Sequence, residues 1–456
     1  MNRRAVVVAL VALAPVVAVA RPAPPPPPVV AVAQPAPPQT PPSAPPQTPL
    51  ASPQAVVASS DAPGVRGVSF AEAVQLALAH NSDARVALDE VARAEGLLAE
   101  ATATLRPLVG VQGQYQQLEA DREVSGRETT AAESVLGEVT LSMPILSFRA
   151  RADRQRARDQ VEVERASAMT TQRAVAITAG RAYLEVFATR RLIEVAVLAR
   201  DTAKAHVDYA RTRRAGGLGT DLDIVRAEAE FATDEANVAN AQTALVQAEE
   251  ALGVLAGQVG PLGSTAEPDL RDADDAQIEQ RADLAGGRER LSAAQSSRDA
   301  QWAEWVPTLS LQGNAFFDAP QIDPTPRFGF QLLAVLAMPL YDGGYRGGLR
   351  RERDAVLAEA HEELDQLQRT ASSEVRAARE SVRRAREARD AAHRSADLAA
   401  RALDLANVAY SGGTGTSLEV IDAQRSARDA ATQAVIADDS LRQAQFALLA
   451  AAGHFP

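Results

Sequence analysis

The 456-residue chain contains no cysteine, which excludes disulfides, thiolate chemistry and a lipidated N-terminal cysteine. Aromatic residues make up only 4% of it, too few for the thick globular core that its length would otherwise suggest. Basic residues are outnumbered, the formal net charge is −12, and no basic block interrupts the balance, so nucleic acid is excluded as a partner. Lys204 is the only lysine, so almost all positive charge is arginine. The histidines, His80, His206, His361, His393 and His454, are scattered without ligand spacing. No glycine-rich phosphate loop occurs, and isolated serine, histidine and aspartate residues do not make a site, so no enzyme, cofactor or metal is expected. After the first 20 residues there is no window of about 20 apolar residues, so any further membrane insertion has to use β-strands.

What is present begins with a short apolar run. Residues 1–20 carry Arg3 and Arg4, apolar residues from Ala5 to Val19, and Ala18-Val19-Ala20 before Arg21, the pattern of a secretory signal peptide. The alternative, an uncleaved anchor, is disfavoured by the shortness of the run and by Pro15 within it. Residues 21–65 are rich in proline, alanine, glutamine and serine and read as an extended linker without a packed core.

From about residue 66 onward alanine, arginine, glutamate, leucine and glutamine dominate, the composition of long helices and coiled coils. A glycine-rich bend occurs twice within it. Gly216-Gly217-Leu218-Gly219-Thr220-Asp221-Leu222-Asp223 recurs about 196 residues later as Gly412-Gly413-Thr414-Gly415-Thr416-Ser417-Leu418-Glu419. In each copy the glycines permit a sharp reversal, and Thr220 with Asp223, or Thr416 with Glu419, forms a capping-box pattern for the helix that follows.

Two tandem units therefore follow, 66–258 and 276–456, with a linker at 259–275. In the first, a helix is predicted from the Ser69/Glu72 capping box to about Thr104. Alternating polar and apolar residues then predict strands over about 105–117 and 134–145, joined by a polar loop and closed by Pro144. A helical hairpin over 148–255 completes the unit. The second unit repeats the order, with strands over about 306–318 and 328–340 and a hairpin over 349–452. The glycines at 343, 344, 347 and 348 read as the strand-to-helix junction, and Trp302 and Trp305 as interfacial anchors or junction packing. Four strands cannot close a barrel, and an open sheet edge is not viable in lipid, so oligomerisation is required; three copies give a twelve-stranded barrel.

This order of elements resembles the TolC-type outer membrane efflux proteins over about residues 66–455. Met338-Pro339-Leu340-Tyr341-Asp342-Gly343-Gly344 after the fourth strand and Tyr410 to Ala423 at the second bend carry the likeness. The fold class is then a membrane β-barrel plus an all-α coiled-coil tunnel, built as a homotrimer in outer-membrane lipid with most of the chain in the periplasm. The resemblance implies an exit duct of a tripartite efflux pump or type I secretion system. Its partners are a periplasmic adaptor (membrane fusion) protein and an inner-membrane efflux pump or ABC transporter. The alternative is a periplasmic structural coiled coil or adaptor without a pore, although an adaptor would normally carry one hairpin rather than two in tandem.

The resemblance also implies roles at the tips. Glu419 and Asp422 lie three residues apart on one helix face and match the acidic rings at the family's tunnel entrance, with glutamate replacing aspartate at the first. Carboxylate rings at a constriction attract cations and repel one another. The competing reading of Glu419 is its capping-box role alone. Tyr410 and Asp223 match a gate latch, but the arginine of that latch is replaced by Gly415, so a weaker latch, or one using Arg226 or another arginine, is expected. Gly217, Gly219, Thr220, Gly413, Thr414, Gly415 and Thr416 would form the adaptor-docking tips; turn geometry alone is the plainer account of the glycines.

Overall fold

Where the apolar period changes from that of a helix to two, the chain leaves helix for strand, and it does so at corresponding places in each repeat. The computed structural model describes residues 65–124, 127–270, 278–321 and 326–453; the predicted signal peptide and almost all of the predicted proline-rich linker lie outside them. The first repeat runs β1 (Arg66–Val68), α1 (Phe70–His80), α2 (Ser82–Ala103), β2 (Leu108–Gln117), β3 (Arg122–Val124), β4 (Arg127–Thr130), β5 (Glu133–Leu146), α3 (Phe148–Ala215) and α4 (Asp221–Leu255). After β6 (Leu262–Ser264), the second runs α5 (Ala282–Asp299), β7 (Thr308–Ala319), β8 (Phe328–Ala337), α6 (Tyr345–Ser411) and α7 (Ser417–Ala452).

The helices α3 and α6 have 68 and 67 residues, so each extends about 100 Å at 1.5 Å per residue. Their return helices, α4 with 35 residues and α7 with 36, cover only about half that length. The other half is covered by α2 beside α3 and by α5 beside α6. The junctions between the covering helices are built alike. Asn81, between α1 and α2, accepts a hydrogen bond from the Asp83 amide at 2.9 Å and donates to the Leu255 carbonyl at 3.1 Å, at the end of α4. Arg281, with nearly the same backbone angles, precedes α5 and donates to the Ala451 carbonyl at 3.1 Å, at the end of α7. Each return helix is thus tied end-on to the helix that continues its line.

Five expectations require correction. The single helix predicted to about Thr104 is broken at Asn81, whose extended backbone (φ −62°, ψ 136°) ends α1 while its side chain caps α2. Part of the predicted loop after β2 is a small antiparallel pair, β3 with β4. Pro144 does not close its strand: β5 continues through a bulge to Leu146, beyond Ser142, where its β2 partner has ended. In the second repeat, β8 stops at Ala337, short of the predicted 340. Within the stretch read as a linker, β6 pairs in parallel with β1, Arg66 opposite Leu262 and Val68 opposite Ser264.

That parallel pair covers a core of the first repeat, which α7 of the second repeat meets through Phe446 on Phe70. Val68, Tyr183, Val186, Leu252 and Leu262 pack together there, and the Tyr183 hydroxyl donates to the Ala266 carbonyl at 2.7 Å. Phe446 of α7 lies against Gly180 of α3, where an added Cβ would sit 2.5 Å from its ring. Gly180 is therefore explained by a ring seated on the helix, despite its low helix propensity.

The four long strands form one antiparallel sheet in the order β2-β5-β7-β8, so β2 and β8 are its free edges in the protomer. Register aligns Val111 with Val139, Val139 with Ala315 and Ala315 with Phe330, which places apolar side chains on one face across all four strands. Val111 and Phe330 are 82% and 86% exposed. The opposite face carries Gln112, Glu138, Thr140, Gln312 and Asn314, and the Asn314 amide donates to Glu138 at 2.5 Å. At the sheet-to-helix junction Gly343 and Gly344 have φ of 67° and 94°, a reversal that β-carbon-bearing residues resist. Arg346 then lies over Trp305, 4.0 Å from the ring centroid, while Trp302 packs on Phe148.

Candidate functional site: the hairpin tips

Both bends use the same backbone device. In the first, the Leu218 amide donates to Arg213 at 2.9 Å and the Gly217 amide to Arg214 at 3.0 Å. In the second, Thr414 donates to Ala409 at 3.0 Å and Gly413 to Tyr410 at 3.2 Å. These paired bonds terminate α3 and α6 and put Gly217 and Gly413 in the left-handed region, with φ of 76° and 79°. Gly219 and Gly415 meet a different demand. A Cβ on Gly219 would stand 3.1 Å from the Arg214 nitrogen, and one on Gly415 would stand 3.1 Å from both the Tyr410 nitrogen and the Ala409 Cβ. An arginine at 415 would crowd this turn, which gives the glycine a local steric reason.

The capping boxes are closed at both tips. Asp223 accepts from the Thr220 amide at 3.1 Å, and Glu419 accepts from the Thr416 amide at 2.8 Å. The carboxylate of Glu419 is therefore turned back on its own helix start. Asp422, one turn further on, is exposed on the same helix face. Asp223 is bonded to its own cap and lies close enough to Tyr410 and His206 for its charge to act on both.

Tyr410 is only 5% exposed and is touched by residues of the first hairpin. Arg213 stacks on it, guanidinium carbon 4.4 Å from the ring centroid, and donates to its carbonyl oxygen. Tyr209 and His206 each approach the ring at 5.6 Å. The arginine held against the tyrosine is thus Arg213 of α3; Arg226 is exposed on α4. Burial raises the Tyr410 phenol above its ordinary pKa, opposed by Arg213 and reinforced by Asp223. Burial also pushes His206 below the usual imidazole range against the pull of Asp223, and its Nε2 lies 3.3 Å from the Ser417 hydroxyl. A cavity of about 400 Å³ lined by His206, Tyr209, Tyr410 and Gln424 opens beside this cluster.

Sequence reasoning singled out Tyr410 and Asp223 but none of Arg213, Tyr209, His206 or Ser417. It also passed over the acids of α4, Glu230 and Asp234. A signal was available there: Ala227, Glu230, Asp234 and Val238 follow one helical stripe, so two acids occupy positions that should be apolar.

A strand sheet with one face apolar along most of its length, set on two long helical hairpins that end in matched turns, defines a chain of the TolC-like outer-membrane channel class. The chain belongs to the outer membrane efflux protein family, whose description fits residues 73–258 and 275–454. It is 25% identical over 386 residues to the pyoverdine export outer membrane protein OpmQ of Pseudomonas aeruginosa, covering 79% of this chain and 80% of that one. Its fold is similar to that of the outer membrane protein VceC of Vibrio cholerae, with a TM-score of 0.71 and 19% identity over 84% of this chain and 96% of that one. The MtrE outer membrane channel of Neisseria gonorrhoeae, in its open state, gives a TM-score of 0.70 and 19% identity over 84% of this chain and 88% of that one. Members of this family are channels, not enzymes. Among the described residues no helix is long and apolar enough to cross a membrane.

Proposed function

We propose that the chain assembles as a homotrimer in the outer membrane and acts as the exit duct of a tripartite efflux or type I secretion machine. The observation that carries this reading is the sheet: its apolar face is exposed from edge to edge, and both edges are unpaired in the protomer. Three copies joined β8 to β2 close those edges into twelve strands and turn the apolar face to lipid. The helical hairpins then line a periplasmic tube whose mouth is the pair of tips. There Gly217, Gly219, Thr220, Gly413, Thr414, Gly415 and Thr416 meet an adaptor, and an inner-membrane pump or ABC transporter supplies the energy. The export role in OpmQ's name supports the outward direction.

In this reading Glu419 and Asp422 contribute six carboxylates around the axis and favour cations at the entrance, and Asp223 with Tyr410 holds the closed mouth. A structural coiled coil or adaptor would leave the apolar face and both strand edges unused. Heat-modifiable trimers extracted from outer membranes, conducting in planar bilayers with cation preference, are the expected result. A soluble periplasmic monomer would overturn the proposal. If Asp223→Ala and Tyr410→Phe leave single-channel conductance and antibiotic leak unchanged, the latch assignment is wrong.

A further inference from the structure

Behind the tips, two acids that belong to one hairpin are neutralised by two arginines of the other. Glu230 and Asp234 lie one turn apart on α4, with side chains 2% and 5% exposed. Arg425 and Arg428 lie one turn apart on α7. Arg425 Nε and Nη2 both stand 2.7 Å from Glu230 Oε2. Arg428 Nη1 bridges the pair, 2.9 Å from Glu230 Oε1 and 2.8 Å from Asp234 Oδ1. Arg428 is itself only 19% exposed as a side chain, and its Nε reaches Asp429 at 3.0 Å. Two buried carboxylates and two guanidiniums make a quartet with no net charge, about two turns along α4 from Asp223.

Such a quartet behaves differently from a surface ion pair. Its carboxylates are out of water, so separating α4 from α7 would leave them buried and unpaired or would require water to enter. Guanidinium bonds from two positions on α7 to two positions on α4 also fix the relative height and rotation of the two helices. The contact nearer the tip runs the other way: Arg213 of the first hairpin reaches Tyr410 of the second, whereas Arg425 and Arg428 of the second reach the acids of the first. Each hairpin thus donates to the other at one level and accepts at another.

We propose that this quartet, with Arg428 as its positioning residue, is a second restraint, behind the Tyr410 contact, that holds the second hairpin against the first within a protomer and so keeps the tip at rest. The proposal rests on the tips being the mouth of the duct, and the test separates the two. Because the chain has no native cysteine, spin labels can be placed at single introduced cysteines on two exposed tip positions, Val225 of α4 and Leu418 of α7. Inter-label distances are measured in trimers assembled with an excess of unlabelled chain, beside bilayer conductance of the unlabelled variants.

Arg428→Gln should broaden and lengthen the distance distribution and raise the open fraction of the channel about tenfold, because Asp234 is left without its cation. Adding Asp234→Asn should narrow the distribution again, since the unpaired charge is then removed. The double variant also guards against misfolding of the single one, and heat-modifiable trimers confirm assembly of both. Unchanged distances in Arg428→Gln, or a broadening that Asp234→Asn does not reverse, would overturn the clamp. Reversible broadening with unchanged conductance would support the clamp and overturn the placement of the mouth at the tips.

Discussion

The two hairpin tips share a backbone and divide the side-chain work. Each ends its long helix with the same pair of turn bonds, places a left-handed glycine at the corresponding position, and starts its return helix with a closed Thr-acid box. Their crossing side chains are not equivalent. The first tip offers Arg213 and leaves Arg214 paired with exposed Asp221, whereas the second buries Tyr410 and presents Asp422 outward. The junctions further up repeat the lesson, with Asn81 in one repeat and Arg281 in the other making the same end-on tie. Backbone devices are kept by both copies because each hairpin needs them locally. The residues that cross between copies differ because each interface between unlike copies has two distinct sides.

Breaking the junctions should produce the largest difference between the repeats. Arg281 is tied to Asp283, Glu374 and the Ala451 carbonyl, with its side chain only 8% exposed. Arg281→Ala should cost about 3 kcal/mol, because Asp283 loses its main cation. Asn81→Ala, which removes one cap and one neutral bond, should cost about 1 kcal/mol. Denaturant unfolding of the detergent-solubilised protein measures both, and equal costs would remove the asymmetry.

At the tips the expected effects are smaller. Gly415→Arg should destabilise the second turn by about 2 kcal/mol through crowding at Ala409 and Tyr410, rather than rebuild a latch. Hydrogen exchange of the Thr414 and Gly415 amides reports it. Thr220→Ala and Thr416→Ala should each cost about 1 kcal/mol, and equally, because both boxes are closed. Exchange at the Asp223 and Glu419 amides compares them directly.

The smallest effect should come from pH. Burial lowers the His206 pKa against the pull of Asp223, so its folded value lies below its unfolded value of about 6.5. The stabilisation is fully present above that unfolded value, and it is lost as pH falls through the folded pKa. The Tyr410 contact should loosen over that range in the native protein and keep its strength in His206→Gln, read by exchange at Tyr209 and Tyr410.

Much of this architecture is legible in the sequence. Helix and strand periods, the duplicated glycine bend and the Thr-acid spacing are local patterns, and local chemistry is enough to form them. The break at Asn81 was legible in principle, since an asparagine before Ser82 and Asp83 is a good cap, but the apolar period runs through it and masks the signal. The β1 with β6 pairing could not be read, because three-residue strands about 196 positions apart leave no periodicity. The same holds for Arg213 on Tyr410 and for Arg428 on Glu230. A chain rich in arginine and glutamate offers many partners, and only packing selects among them. The two acids in the stripe of α4 showed that something had to neutralise them, without showing what.

The account depends most on closure of the open sheet by neighbouring copies. One cysteine on β2 at Gln112 and one on β8 at Gln331, both on the polar face, test it by oxidative cross-linking in outer membranes. The account predicts a covalent ladder that ends at three chains and is lost when either cysteine is omitted. Chains that remain monomeric, or a ladder that continues past three, would contradict it.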